Sequence, residues 1–309
     1  MSKIAIIFPG QGSQYVGMGQ EIAKTPIGEK LFSQADAALG FSLSNLCFEG
    51  PAEELTLTYN TQPAIVIVSL IAYQLLIAQR IKPEMTAGHS LGEYSALAAA
   101  GPLSFLDAIR LVRTRGQLMH DATSSVSGGM AAIIGLSPSE VEEICREASA
   151  AGIVQAANYN SPVQTAISGD QAGLEKAIAL ATAQGARRAM MLPVSAPFHS
   201  SLMDPVAGQF KPELEAATVN DAAIEVIANV TARPQTAAGE IRENLIAQIN
   251  GPVRWTETIE YMIGRGIDTF IEVGPGRVLT GLLKKTNREV TCVPVENLES
   301  IEGFISTLA

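Results

Sequence analysis

The segment "MTAGHSLGEYSALAAAG", residues 85–101, constrains the fold more than any other stretch of the chain. A short strand runs into Gly88-His89-Ser90-Leu91-Gly92, and a run of helix-forming alanines follows. Gly-x-Ser-x-Gly between a strand and a helix is the pattern of a nucleophile elbow, a turn so tight that a Cβ at either glycine would clash. The competing reading is a glycine-rich turn with an incidental serine. The distinction rests on whether the rest of the chain supplies a base, an oxyanion site and a substrate clamp.

Periodicity organises the remainder. "KIAIIF" reads as a strand, "TQPAIVIVSLIAYQLLIAQ" as a long buried helix, and residues 104–120 as a second helix. The apolar part of the first helix falls short of the roughly 20 residues needed to span a bilayer, which makes it a core helix. "SSVSGGM" then breaks the pattern. Beyond it come strand "MAAIIGL", helix "SPSEVEEICREAS", strands "IVQAANYN" and "QTAISGD", helix "QAGLEKAIALATAQG" and strand "RRAMMLPV". This β-α-β-β-α-β order is ferredoxin-like. Strands "EVIANVT" and "TFIEVG" then alternate with helices "EIRENLIAQING" and "RWTETIEYMIGRG". The expected architecture is therefore an α/β domain of residues 1–126 and 195–309, interrupted by a small ferredoxin-like subdomain at 127–194.

Charge and cysteine content narrow the function classes. With 21 Lys+Arg against 31 Asp+Glu the 309-residue chain carries a formal charge of −10. That balance argues against nucleic acid or an anionic membrane as partner, so an anionic ligand needs a local cationic patch. Cys47, Cys145 and Cys292 are far apart and fit neither a disulfide framework nor a metal site. The opening "MSKIAIIFPGQG" has an apolar run too short for a signal peptide. A reducing, cytoplasmic setting is expected.

A serine nucleophile needs a base, and the chain has three histidines. His89 lies inside the elbow and, by strand alternation, should face away from the reaction. His120 closes a helix, where a partly charged imidazole suits the dipole. His199, in "LPVSAPFHSSLMD", enters a helix from a strand and can present its ring to a cleft. In α/β-hydrolases the acid lies between serine and a late histidine, whereas residues 200–309 still follow His199. A backbone carbonyl or a side-chain amide can hold the imidazole instead, and Gln248 and Asn250 could contribute such groups.

"FPGQGSQYVGMG" ends a strand in a glycine-rich turn whose N–H groups can bind an anion or an oxyanion. No Gly-Lys-Ser/Thr follows, and the spacing is not that of a dinucleotide fingerprint. As an oxyanion loop it would pair with the N–H of Leu91, the residue after the elbow serine. On the helix of residues 104–120, Phe105, Ala108, Val112 and Met119 form an apolar stripe that includes Arg115, while Arg110 and Arg113 turn away. A buried guanidinium needs a partner: an internal carboxylate, or a substrate carboxylate held in a bidentate fork.

Together and in this order, "FPGQGSQ", "GHSLGE", the Arg115 helix, "NYNSP", "PVSAPFHS", "NVTARP" and "VGPG" resemble the malonyl-CoA:acyl carrier protein transacylases of type II fatty acid synthesis. The resemblance implies an α/β-hydrolase-like core with an inserted ferredoxin-like subdomain and no metal or redox cofactor, with malonyl-CoA as substrate and acyl carrier protein as partner. It implies Ser90 as nucleophile, His199 as base and then acid, Gln248 orienting His199, and Arg115 gripping the malonyl carboxylate. Gln11 and Leu91 would donate backbone N–H groups to the oxyanion, and Asn160 and Ser200 match positions near the cleft. Phe198 resembles the malonyl-selective pattern of related polyketide acyltransferases. Carrier proteins of this pathway are acidic, so the resemblance also implies basic docking residues, for which Arg187-Arg188 and Lys284-Lys285 are the candidates. A discrete acyltransferase serving a polyketide synthase, a serine thioesterase, and a non-catalytic carrier-binding module are the rival readings.

Overall fold

In the computed structural model, which describes residues 2–124, 127–194 and 196–307, ten strands fall into two sheets. They are β1 (Ile4–Phe8), β2 (Met85–Gly88), β3 (Gly129–Ile134), β4 (Val154–Ser161), β5 (Gln164–Gly169), β6 (Arg188–Met191), β7 (Glu225–Ile227), β8 (Pro234–Gln235), β9 (Thr269–Val273) and β10 (Thr291–Val295). The larger sheet runs β10-β9-β1-β2-β7-β8, parallel except for the short antiparallel β7–β8 pair.

β1 shows why the sequence builds this sheet. Every position of "IAIIF" is hydrophobic, and alternate residues enter different cores: Ile6 and Phe8 one, Ala5 and Ile7 another. A parallel strand covered by helices on both faces has that composition. The Thr58–Ile77 helix does not fall short as the sequence suggests: it is long and apolar enough to cross a membrane, and its burial, supplying Ile65, Val68 and Ile71 to the first core, is what makes it a core helix.

Register puts the ends of β1 and β2 level, with Phe8 opposite Gly88, and the His89 amide donates to the Phe8 carbonyl at 3.0 Å. The Pro9–Gly12 turn and the elbow therefore leave the sheet side by side. They do so at the carboxyl ends of the strands, where open parallel sheets bind their ligands.

The second sheet, β4-β5-β3-β6, is antiparallel throughout. Its elements fall on the segments the sequence marks, with helices at Pro138–Ala148 and Gln171–Ala183. Both helices start at side-chain caps, Ser137 in a capping box and Asp170 accepting from the Gly173 amide. They cover one face, burying Ile133, Ile144, Val154, Ile167 and Leu174. Met130, Asn158, Asn160 and Ala166 instead line a cavity shared with the elbow. β4 also bonds to the segment before the Trp255–Gly264 helix, through Tyr159 N to Val253 O at 2.9 Å and Val253 N to Ala157 O at 2.8 Å. The expected boundary residues Val126 and Ser195 lie outside the described residues.

Candidate active site

The elbow glycines are required for close approach. A Cβ on Gly88 would sit 1.9 Å from the carbonyl carbon of Gly92, and one on Gly92 would sit 2.4 Å from the Phe8 carbonyl oxygen. Ser90 between them has φ 53°, a left-handed conformation that costs a non-glycine residue about 1–3 kcal/mol and persists only where its surroundings impose it. Asn229 supplies part of that constraint. Its Oδ1 accepts from the Ser90 amide at 2.7 Å and its Nδ2 donates to the Gly88 carbonyl at 2.6 Å.

His199, also left-handed at φ 59°, places Nε2 2.8 Å from Ser90 Oγ. Its Nδ1 meets two backbone carbonyls, Gln248 at 2.8 Å and Gly251 at 3.1 Å. Carbonyls only accept, so Nδ1 carries the proton and Nε2 offers its lone pair to the serine. Burial first, and then the Arg115 charge, push the imidazole down to about 3, leaving it neutral at physiological pH.

Gln248 thus orients His199 through its main chain, while its side chain turns elsewhere. Asn250 points away, donating to Asp204 at 2.7 Å. His89 departs from its expected placement: it lines the same cavity, because Ser90 adopts a turn conformation that breaks strand alternation. Its Nε2 pairs with Asn160 Oδ1 at 2.8 Å, and its ring packs 5.6 Å from that of Trp255. His120 packs edge-on against Tyr59, 4.9 Å between centroids, in the last turn of its helix.

Arg115 is 1% exposed, as the stripe on the Phe105–Asp121 helix requires. Among the described residues it forms no ion pair, so the internal salt bridge left open by the sequence is not made. Its fork meets neutral amides instead, Nη1 donating to Gln62 Oε1 at 2.8 Å and Nη2 to Gln248 Oε1 at 3.0 Å. Nη2 also reaches Ser90 Oγ at 3.1 Å. Arg113 lies off this face, stacked over Phe41 and Tyr59 and bonded to Asn60. Arg110 is exposed.

The cavity, about 220 Å³, is walled by Gln11, Gln62, Ser90, Leu91, Arg115, Asn160, Phe198 and His199 among others. Among the described residues the backbone amides of Gln11 and Leu91 donate to no protein acceptor. Close packing of the two turns brings both to the site, since a Cβ on Gly10 would lie 2.5 Å from the His89 carbonyl oxygen. Ser200 corrects the sequence reading: it is buried, its hydroxyl donates to the Pro197 carbonyl at 2.7 Å, and it holds the turn without lining the cavity.

At the rim, Lys285 Nζ donates to Gln164 Oε1 at 2.8 Å, and Gln164 lines the cavity. Lys284 and Lys285 are exposed in the last turn of the Val278–Thr286 helix. Arg187 and Arg188 are exposed at the start of the edge strand β6. The sequence reading assigned no role to Asn229, Glu93 or Gln62. Glu93 is 1% exposed beneath the elbow, and burial raises its carboxyl to about 7 against hydrogen bonds from Gln248, Asn229 and Gln235. The available signals were the motifs "GHSLGE" and "NVTARP", which contain two of the three.

An elbow serine bonded to a neutral, carbonyl-held imidazole, with a buried cation at its side, is the apparatus of a nucleophilic acyltransferase. The acyl transferase domain model matches residues 5–302. The malonyl CoA-acyl carrier protein transacylase of Bacillus subtilis is 49% identical over 310 aligned positions, covering 100% of this chain and 98% of that protein. The solved transacylase of the same name from Coxiella burnetii superposes with a TM-score of 0.96 at 40% identity, over 99% of this chain and 98% of that one. A malonyl-transacylase solved in complex with its type II polyketide synthase acyl-carrier protein gives 0.95 at 39% identity, over 99% and 100% of the two chains. The chain belongs to the acyl transferase domain family, among its malonyl CoA-acyl carrier protein transacylases.

Proposed function

We propose that the protein moves a malonyl group from malonyl-CoA to the phosphopantetheine thiol of acyl carrier protein, in two half-reactions through a malonyl-Ser90 ester. The observation that carries this reading is the 3.1 Å between Arg115 Nη2 and Ser90 Oγ. Carbons separated by one methylene are roughly 2.5 Å apart. A buried cation this close to the nucleophile therefore suits an acyl group whose carboxylate is one carbon from the thioester, which malonyl provides.

In the first half-reaction His199 Nε2 takes the Ser90 proton and Oγ attacks the thioester carbonyl. The Gln11 and Leu91 amides donate to the oxyanion, while Arg115 exchanges its amide partners for the malonyl carboxylate. The tetrahedral adduct collapses, and the CoA sulfur leaves with the proton from His199. In the second half-reaction the carrier thiol gives its proton to His199 and attacks the ester; Oγ leaves and recovers the proton. Each proton transfer uses His199, so no metal or redox cofactor enters the reading. Asn160 and Phe198 shape the acyl site from the wall, and Ser200 supports the His199 turn.

The hydrolase-like core at 1–126 and 195–309, the ferredoxin-like insert at 127–194 and a reducing cytoplasmic location complete the reading. The β4-β5-β3-β6 order and three unpaired cysteines support it. Intact-mass measurement after malonyl-CoA, followed by addition of holo carrier protein, tests the whole scheme. An adduct that transfers to the carrier supports it, whereas steady release of malonate to water in the carrier's presence would favour the thioesterase.

Because His199 sits near 3 when folded and near 6.5 when exposed, it takes up a proton on unfolding between those values. The stability this group contributes is full above about 6.5 and is lost as the pH falls through that window. Catalysis should follow the folded value. Ser90 acylation at limiting acetyl-CoA, which has no carboxylate for Arg115, is expected to stay flat through pH 6, and rapid-quench rates showing an acid limb centred near 6.5 would remove the neutral buried imidazole from the scheme.

Carrier docking is assigned to Lys284 and Lys285, with Arg187 and Arg188 as a second basic pair. The long-range field of a −10 chain repels an acidic partner, so docking depends on local cations. Reversing Lys284 and Lys285 to glutamate should raise the KM for carrier protein, most at low salt, and affect malonyl loading from CoA much less. Unchanged transfer at low ionic strength would reduce the pair to a helix cap.

A further inference from the structure

Gln248 meets four of the groups around the nucleophile through three different atoms. Its backbone oxygen holds His199 Nδ1, its Oε1 accepts from Arg115 Nη2 at 3.0 Å, and its Nε2 donates to the Ser90 carbonyl at 2.9 Å and to Glu93 Oε2 at 2.7 Å. A carboxamide has one accepting end and one donating end. A guanidinium only donates, and a backbone carbonyl only accepts. Turned by half a rotation, the Gln248 amide would set NH₂ against the Arg115 fork and carbonyl against carbonyl at Ser90.

Glu93 is built to prevent that rotation. Its Oε1 accepts from Gln235 Nε2 at 2.6 Å, and its Oε2 from Gln248 Nε2 and, at 3.2 Å, from the Asn229 amide. Three N–H donors converge on a group that offers two accepting oxygens, where a carboxamide would offer one. Glu93 and Arg115 do not form an ion pair, yet they sit at opposite ends of one amide, accepting carboxyl oxygen at its NH₂ and donating guanidinium at its oxygen. The Gln248 dipole is aligned by both.

We propose that Glu93 is a specificity-positioning residue: it fixes the sense of the Gln248 amide, so that Gln248 Oε1 holds the Arg115 guanidinium beside Ser90 in the pose that receives an acyl carboxylate. The inference rests on the malonyl-transfer reading and deepens it. Glu93 touches neither Ser90 Oγ nor the imidazole, so its effect should appear in the choice of acyl group rather than in acylation as such. An acetyl group has no carboxylate for Arg115 to receive.

The test is a double-mutant cycle read by intact mass. Initial Ser90 loading is measured with malonyl-CoA and acetyl-CoA in competition, for the wild type, Glu93→Gln, Gln248→Met and the double variant. Glu93→Gln is expected to lower the malonyl-to-acetyl loading ratio about tenfold in the wild-type background and less than about twofold in the Gln248→Met background. Equal losses for the two substrates, or the same change of ratio in both backgrounds, would overturn the proposal. If Glu93→Gln does not yield folded protein, Glu93→Asp, which keeps the carboxyl but withdraws it by one methylene, goes through the same cycle under the same criteria. Absence of any malonyl adduct on the wild-type protein would instead sink the transfer reading.

Discussion

Replacing Ser90 with alanine is expected to abolish the malonyl adduct while leaving the fold in place. The hydroxyl gives the site its nucleophile, and losing a nucleophile that acts as a unit with its base costs on the order of 10⁶ in turnover. Structurally the change is small. Alanine at φ 53° is as strained as serine, the Asn229 bond to the Ser90 amide does not involve the side chain, and His199 keeps both carbonyl partners. Intact mass after malonyl-CoA, beside a thermal melt, reads the two effects separately. A covalent adduct on the alanine variant would take Ser90 out of the mechanism.

Arg115→Ala is expected to divide substrates. Truncating one partner of a buried charge pair costs about 2–5 kcal/mol, roughly 30- to 5,000-fold in kcat/KM for malonyl-CoA. Acetyl-CoA leaves no carboxylate stranded and should lose far less. Some stability is lost with either substrate, because Gln62 and Gln248 each give up a charge-assisted hydrogen bond in the interior. Arg115→Lys should recover little, since an ammonium cannot present the planar fork. Equal losses for malonyl and acetyl transfer would make the arginine purely structural.

The parts of this molecule legible in its sequence are those whose cause is local. The Gly88 requirement arises within five residues, while the Gly92 requirement comes from Phe8 on the neighbouring strand, and the burial of Arg115 follows from steps of three and four along one helix. The antiparallel sheet followed from the β-α-β-β-α-β order of the segments between residues 127 and 194. His199 was found by elimination, as one of three histidines. What escaped is held at long range: Asn229 and Gln235 reach the elbow and Glu93 from over 130 residues away, with no periodicity to betray them. Ser200 was misplaced because proximity in sequence to His199 does not set the direction of a side chain beyond a left-handed residue. The Pro26–Leu39 helix and β10 received no assignment. The helix did carry signals, Thr25 before Pro26 and Gly40 after Leu39, whereas β10 contains Pro294 at an edge, a residue that ordinarily demotes a strand.

The two carbonyls that hold His199 have a genetic consequence. A carboxylate in that place would be one codon from loss, and a mutational scan would flag it as a third essential position. Main-chain oxygens at Gln248 and Gly251 survive any side-chain replacement that keeps the end of the Ala238–Asn250 helix in shape. A saturation scan of this chain should therefore return two positions intolerant of every substitution for chemical reasons, Ser90 and His199. Around them it should show a graded tolerance at 249–251 that tracks backbone geometry rather than acidity. The same arrangement hides the orienting group from any search for a serine–histidine–acid pattern, because it is written in no residue type at all.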